Sequence, residues 1–260
     1  MTRIISITNQ KGGVGKTTTA VNLAACLAAL HFRTLLIDLD PQGNATSGVG
    51  LDPRELDHSA YHLLCADVPP AEIVRPSGIE HLDIIPANAD LAGAEVELVV
   101  AMGREGVLRR ALADFAPQYD YILIDCPPSL GLLTVNALAA SRSVLVPIQA
   151  EYYALEGMAR LLDTIERIRF NLNPDLRLEG MLVTMHDGRN NLSRQVEDEV
   201  RQHFPAQTYE TVIPRNVRLS ESPSHGQPII MYDIESRGAR SYLALAREFI
   251  ARHAEDTAQP

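Results

Sequence analysis

The 260-residue chain has no tryptophan, three cysteines and only two lysines among its 23 basic residues. Cys26, Cys65 and Cys126 are odd in number and widely spaced, which excludes a disulfide framework and a Cys-x-x-Cys metal site and fits a reducing compartment. No stretch approaches the ~20 apolar residues of a membrane span. Met1-Thr2-Arg3 passes straight into an apolar run, without the h-region or cleavage site of a signal peptide, so a cytoplasmic location is expected. Gly/Ser-rich, Pro-rich and like-charge tracts are also missing, as are internal repeats. With 46% hydrophobic and 22% charged residues the composition is that of a globular protein. Residues 1–260 are therefore expected to form one domain, with about 254–260 as a short tail. A net charge of -10 excludes a surface that is basic all round, so any contact with nucleic acid or anionic lipid needs a local patch.

The two lysines, Lys11 and Lys16, fall in one loop, Asn9-Gln-Lys-Gly-Gly-Val-Gly-Lys-Thr-Thr18. A compact ammonium suits a phosphate, whereas arginine serves everywhere else in this chain. Before the loop, residues 4–8 read as a β-rich run; after it, residues 17–30 have the apolar spacing of a buried helix. A phosphate cradle needs glycines so that several N–H groups can point at one anion, and a helix N-terminus behind them. Gly12, Gly13 and Gly15 meet the first need and the helix meets the second. Lys16 is expected against the β- and γ-phosphates and the Thr17 hydroxyl on Mg²⁺. Val14 and Thr18 complete the nucleotide-binding stretch.

Further short apolar runs at 34–38, 82–85, 121–125, 143–147 and 178–184 alternate with helical segments at 105–116, 155–170, 192–203 and 239–252. This order predicts an α/β fold: a doubly wound, mostly parallel sheet with helices on both faces and ligands at the carboxyl ends of the strands. Two of the strands end in acid. Asp38-Leu-Asp40-Pro-Gln-Gly-Asn44 brings two carboxylates to a strand end near the phosphates, where one can fix a metal's water shell and the other can orient an attacking water. A turn explains Pro41 and Gly43 but leaves the carboxylates unexplained. Tyr121-Ile-Leu-Ile-Asp125 is the Walker B arrangement, an apolar strand whose terminal carboxylate faces Mg²⁺.

The loop departs from G-x-x-x-x-G-K-[ST], because Gln10 stands where the first glycine belongs and Lys11 follows. In this it resembles the deviant Walker A loop of the ParA/MinD ATPases, and segments 38–47, 125–131, 149–155 and 213–226 resemble the ParA/Soj group that partitions chromosomes and plasmids. The resemblance implies ATP and Mg²⁺ as ligands, ATP hydrolysis, an ATP-dependent homodimer, non-specific binding to double-stranded DNA with nucleoid association, and stimulation by a ParB-like centromere-binding partner. It gives Lys11 a reach across the dimer to the partner's phosphates, Asp40 the hydrolytic water and Asp38 a place near the metal. It sets Pro214 and Asn216 near the adenine, although a plain turn accounts for those two residues almost as well.

DNA binding by an acidic chain requires a favoured region. Residues 1–185 hold 14 basic and 22 acidic side chains, whereas residues 186–260 hold 9 arginines and 11 acids. Arg189, Arg215 and Arg218 fall in or beside loops there; the resemblance implies DNA contacts for Arg189 and Arg218, and pairing of two protomers would make a weak patch effective. Two other classes share the loop. A MinD-like membrane-associated positioner needs a basic amphipathic C-terminal helix, but residues 252–260 are acidic and end in proline. Iron–sulfur carriers need paired cysteines that Cys126 alone does not supply. A ParA-like positioner of a protein cargo stays open. His58 and His62 have helical spacing without a third metal ligand. With the first strand at about residue 4, a helix-turn-helix extension is not expected.

Overall fold

The computed structural model describes residues 2–151 and 154–258, apart from the side chains of 154–157, 159 and 255–258. Residues 152–153 of the family-like segment 149–155 and residues 259–260 of the expected tail lie outside the described residues. Among the described residues, seven strands form one sheet: β1 (Arg3–Ile7), β2 (Thr34–Asp38), β3 (Arg75–Ile79), β4 (Leu82–Ile85), β5 (Tyr121–Asp125), β6 (Ser143–Gln149) and β7 (Arg177–Thr184). The helices are α1 (Lys16–Ala29), α2 (Asn44–Gly48), α3 (Ala60–Cys65), α4 (Pro70–Ile73), α5 (Leu91–Glu97), α6 (Val107–Leu112), α7 (Leu132–Ala140), α8 (Ala154–Asn171), α9 (Asn191–His203), α10 (Val217–Glu221), α11 (Ile229–Tyr232) and α12 (Arg237–Ala258).

The strand order is β3-β4-β2-β5-β1-β6-β7, parallel throughout except for β3. The near-continuous apolar strands follow from burial on both faces. In β2, Leu36 joins the core under α1 and α12, while Leu35 and Ile37 join the opposite core with α3, α5, α6 and α7; in β5, Leu123 divides from Ile122 and Ile124 in the same way. The doubly wound expectation is met. Helix α12 buries Ala239, Tyr242, Leu245, Ala246 and Phe249 against the α1 side, so its apolar face is occupied by the core.

Besides several short helices, three elements differ from the expectations. Strand β3 was not expected, because it carries Pro76 and Gly78; both are tolerated on an antiparallel edge with an irregular register. Helix α7 is buried on nearly all sides and so shows no amphipathic period. The helix expected over 105–116 is only α6, flanked by 3₁₀ turns at Arg104–Gly106 and Ala116–Gln118, the second of which contains Pro117.

The outer edge of β7 is covered by residues 207–215, which run alongside it: Met181 N–H donates to Gln207 O (2.8 Å), Tyr209 N–H to Met181 O (2.9 Å) and Ile213 N–H to Val183 O (2.9 Å). Gly180 makes this approach possible. A Cβ there would lie 2.6 Å from Gln207 O and from the Tyr209 ring. Gly180→Ala is expected to destabilise the protein by about 1–3 kcal/mol through overpacking against backbone. Urea denaturation checks this; an unchanged midpoint would mean that the edge segment can move away without loss.

Candidate functional site

The carboxyl ends of β1, β2 and β5 meet in register, with Ile7 beside Asp125 and Asp125 beside Asp38. The loop leaving β1 therefore enters α1 directly above two carboxylates. Gly13 (φ 74°) and Gly15 (φ 85°) occupy the left-handed region that only glycine takes without strain, and Gly15 caps α1 without a side-chain hydrogen bond. The first-turn N–H groups of α1 thus lack a capping side chain, the arrangement that receives an anion.

Four side chains pin this loop. Asn9 donates through Nδ2 to Pro147 O (2.7 Å) and accepts from Lys11 N–H (3.0 Å). Thr184 Oγ1, at the end of β7, donates to Val14 O (2.8 Å). Lys16 is buried, and its ammonium donates to Lys11 O (3.1 Å). Burial lowers the Lys16 pKa, against the opposing pull of the Asp125 and Asp40 carboxylates. Lys11 behaves differently: its ammonium is partly exposed and pairs with Glu151 Oε2 (2.8 Å). Glu151 Oε1 in turn accepts from Gln149 Nε2. Asn9, Thr184 and Glu151 were not singled out from sequence; the position of Thr184 and Glu151 at the ends of β7 and β6 is the signal that could have found them.

The two strand-end aspartates are in different states. Asp38 is fully buried; Oδ2 accepts from Thr46 N–H and Thr46 Oγ1 (both 2.8 Å), and Oδ1 accepts from Asp40 N–H (3.1 Å). It anchors the turn that presents Asp40, and burial pushes its pKa up to about 6 despite those bonds. Both carboxylate oxygens of Asp125 are buried without a donor in hydrogen-bond geometry. Burial pushes its pKa well above the ordinary range, and the neighbouring Asp38 adds to the shift while Thr17 and Lys16 oppose it. Asp40 is more open, and its Oδ1 accepts from Gln42 N–H (3.0 Å). Gly43, at φ 63°, closes that turn.

A cavity of about 490 Å³ opens beside the loop, lined by Gly15, Thr18, Thr184, Pro214, Asn216 and Leu219 among others. Pro214 and Asn216 are thus brought to the loop from 200 residues away by the segment on the β7 edge. Asn216 is also the N-cap of α10, its Oδ1 accepting from Leu219 N–H (3.3 Å). A Cβ added at Gly12 would meet nothing within 4 Å. The three arginines form a looser set. Arg189 is 94% exposed and 3.4 Å from Asp187. Arg215 is exposed, and its N–H donates to His186 O (3.0 Å). Arg218 is tied to Glu221 (3.0 Å) and Asp233 (3.4 Å). His62 Nδ1 accepts from Ser59 N–H (3.2 Å) and completes the capping box of α3. No helix is long and apolar enough to cross a membrane among the described residues.

Comparison with known proteins adds to this geometry. A family model described as an AAA domain matches residues 2–178. The sporulation initiation inhibitor protein Soj of Bacillus subtilis is 57% identical over 251 residues, 96% of this chain and 99% of that one. The chromosome partitioning protein ParA of Myxococcus xanthus is 58% identical over 250 residues, 96% of this chain and 88% of that one. Among solved structures, cobyrinic acid a,c-diamide synthase from Mycobacterium smegmatis with bound ADP and magnesium superposes with a TM-score of 0.84 at 39% identity, covering 98% of this chain and 96% of that one.

The buried aspartates make a pH prediction. A carboxyl whose folded pKa exceeds its unfolded value favours the folded state while protonated, and that contribution is lost as pH rises through the folded value, about 6 for Asp38 and higher than ordinary for Asp125. Asp125→Asn is therefore expected to raise the melting temperature of nucleotide-free, metal-free protein at pH 8. The gain should shrink toward pH 4, where the native carboxyl is itself protonated. A calorimetric pH series tests this, and identical differences at every pH would show that Asp125 holds no buried charge.

Proposed function

The chain belongs to the ParA/Soj family of partitioning ATPases, and on that premise we propose that it is an ATP-timed switch whose nucleotide-bound homodimer holds DNA non-specifically until a ParB-like partner stimulates hydrolysis. The observation that supports this reading best is the division of labour between its two lysines. Lys16 is buried and turned into its own loop, whereas the Lys11 ammonium is partly exposed and pairs with an exposed carboxylate, Glu151. An outward lysine at a phosphate loop is of use to a second protomer.

Within one protomer, the amides of Gly12 to Thr18 and the Lys16 ammonium receive the phosphates, and the cavity bounded by Pro214 and Asn216 receives the base. Mg²⁺, the metal bound with nucleotide in the 39% identical synthase, offsets phosphate charge and fixes phosphate geometry when present. The chain's own groups fit it: Asp125 offers two buried oxygens, with the Thr17 hydroxyl and Asp38 beside it. An ion that keeps most of its water needs few direct protein ligands. Asp40, held by the Asp38-centred turn yet open to solvent, orients the attacking water. Lys11 exchanges Glu151 for the partner's phosphates when two protomers close. The reading places the protein in the cytoplasm on nucleoid DNA. A membrane-bound mode is disfavoured because α12 already spends its apolar face on the core.

Two measurements test the proposal. Nucleotide-dependent DNA binding and oligomer size are compared for the native chain, Gly12→Val, Lys16→Ala and Asp40→Ala. The expected results are loss of the dimer, loss of nucleotide binding, and a DNA-bound dimer whose hydrolysis is slower by about a hundredfold or more. A monomeric Asp40→Ala protein in ATP, or equal DNA binding with ADP and ATP, would sink the switch. In the second measurement, Arg189→Ala is expected to weaken binding to all DNA sequences and to reduce the salt slope by about one unit or more per protomer. Arg218→Ala should do less, because Arg218 is committed to Glu221 and Asp233. Unchanged slopes in both variants would remove these arginines from the DNA contact.

A further inference from the structure

The end of the sheet opposite the phosphate loop holds a second cavity, of about 510 Å³, at the amino ends of β1, β6 and β7. Strand β6 runs from Ser143 at this cavity to Gln149 near the loop, so at ~3.3 Å per residue the two sites are about 20 Å apart. Its walls carry four guanidinium groups, Arg3, Arg142, Arg177 and Arg252, against two carboxylates, Glu179 and Glu210. Such convergence is unusual in a chain of net charge -10.

The carboxylate at the floor is already committed. Glu179 Oε2 accepts from Ser143 Oγ (2.6 Å), and Oε1 accepts from Tyr209 OH (3.2 Å) and lies 3.0 Å from His253 Nε2. Glu179 reaches this position because the β6–β7 register slips between Val144 and Leu145, leaving one extra residue on β7. Two arginines are fixed in place. Arg3 donates to His253 O (2.7 Å); Arg252 donates to Thr208 O (2.8 Å) and Glu248 (2.7 Å) and lies over the Tyr209 ring at 4.0 Å. Arg142 and Arg177 stand exposed at the rim, and Arg177 has no carboxylate partner among the described residues. A polar cavity of small-ligand size, with two guanidinium groups held inside and two more exposed at its mouth, suits a planar-fork grip on phosphate oxygens.

We propose that this cleft is a second anion site, for a small, multiply charged phosphate chain, separate from the catalytic nucleotide. The ligand is either free polyphosphate or the phosphate chain of a nucleotide, and its binding ties the starts of β1, β6 and β7 to α12. The test uses the full chain carrying Lys16→Ala, in metal-free buffer, so that the phosphate loop does not contribute. Calorimetric titration with inorganic tripolyphosphate is expected to give one saturable site per chain that weakens with salt. Adding Arg142→Gln and Arg177→Gln should weaken it by about tenfold or more, the loss of charge-assisted bonds, with the far-ultraviolet circular dichroism of the ligand-free protein unchanged. GTP binding more tightly than tripolyphosphate would assign a nucleotide, and equal affinity a free polyphosphate. The proposal fails if tripolyphosphate does not bind, if the double rim substitution leaves its affinity unchanged, or if a short DNA duplex occupies these arginines while tripolyphosphate does not.

Discussion

Two carboxylates, Asp38 and Asp125, are buried side by side because β2 and β5 are parallel neighbours that stop at the same level. Water does not compensate for them there. Raising the Asp38 pKa from 3.8 to about 6 corresponds to a cost on the order of 3 kcal/mol at neutral pH, a sizeable part of the roughly 5–15 kcal/mol that stabilises a domain. The rest of the architecture answers this constraint. A buried lysine stands opposite, Thr46 and the Asp40 amide absorb the lone pairs of Asp38, and the two-faced apolar core supplies the stability that the site removes. Asp125 is answered less fully, by the neighbouring Thr17 hydroxyl and the Lys16 charge, so the electrostatic deficit is concentrated on one group. A cation brought in with phosphate meets that deficit, and a site so arranged favours the loaded state over the empty one.

The same economy explains why the chain has lysine only here. Both ammonium groups need a compact, rotatable charge close to backbone, which a planar guanidinium fits less well. Their surroundings then separate their roles. Lys16 is enclosed and its pKa is depressed by burial, so its charge is strengthened by a low-dielectric setting when an anion arrives. Lys11 is held by an exposed ion pair of the kind worth about 0–1 kcal/mol. A contact that weak is easily exchanged, and exchange is what the proposed closure between protomers demands of it.

Much of this was legible in the sequence because each feature was local. The loop's glycines, the strand before it and the helix after it lie within 30 residues, and the acids ending β2 and β5 follow directly from apolar runs. What escaped depends on contacts between distant segments. Thr184 and Val14 are 170 residues apart, and Asn9 and Pro147 are 138 apart. Nor could the sequence tell that Asp38 would be saturated by its own turn while Asp125 would not, since both are aspartates at strand ends. Strand β3 was hidden by its proline and glycine, and α7 by having no polar face.

The segment on the outer edge of β7 connects features that the sequence kept apart. It is bonded to β7 at Met181 and Val183 and, just beyond the strand, to His186, and so holds Pro214 and Asn216 at the cavity beside Gly15. Arg215 sits between those two residues, and its N–H donates to His186 O, one residue before the loop that carries Asp187 and Arg189. Under the proposed function, base binding and DNA binding then share a single backbone ladder. Tightening the cavity around a base would fix the position of Arg215 and, through its bond to His186 O, the start of the Arg189 loop at the same time. On that proposal it is a physical link between nucleotide state and the arginines assigned to DNA within one protomer, one that needs no second protomer.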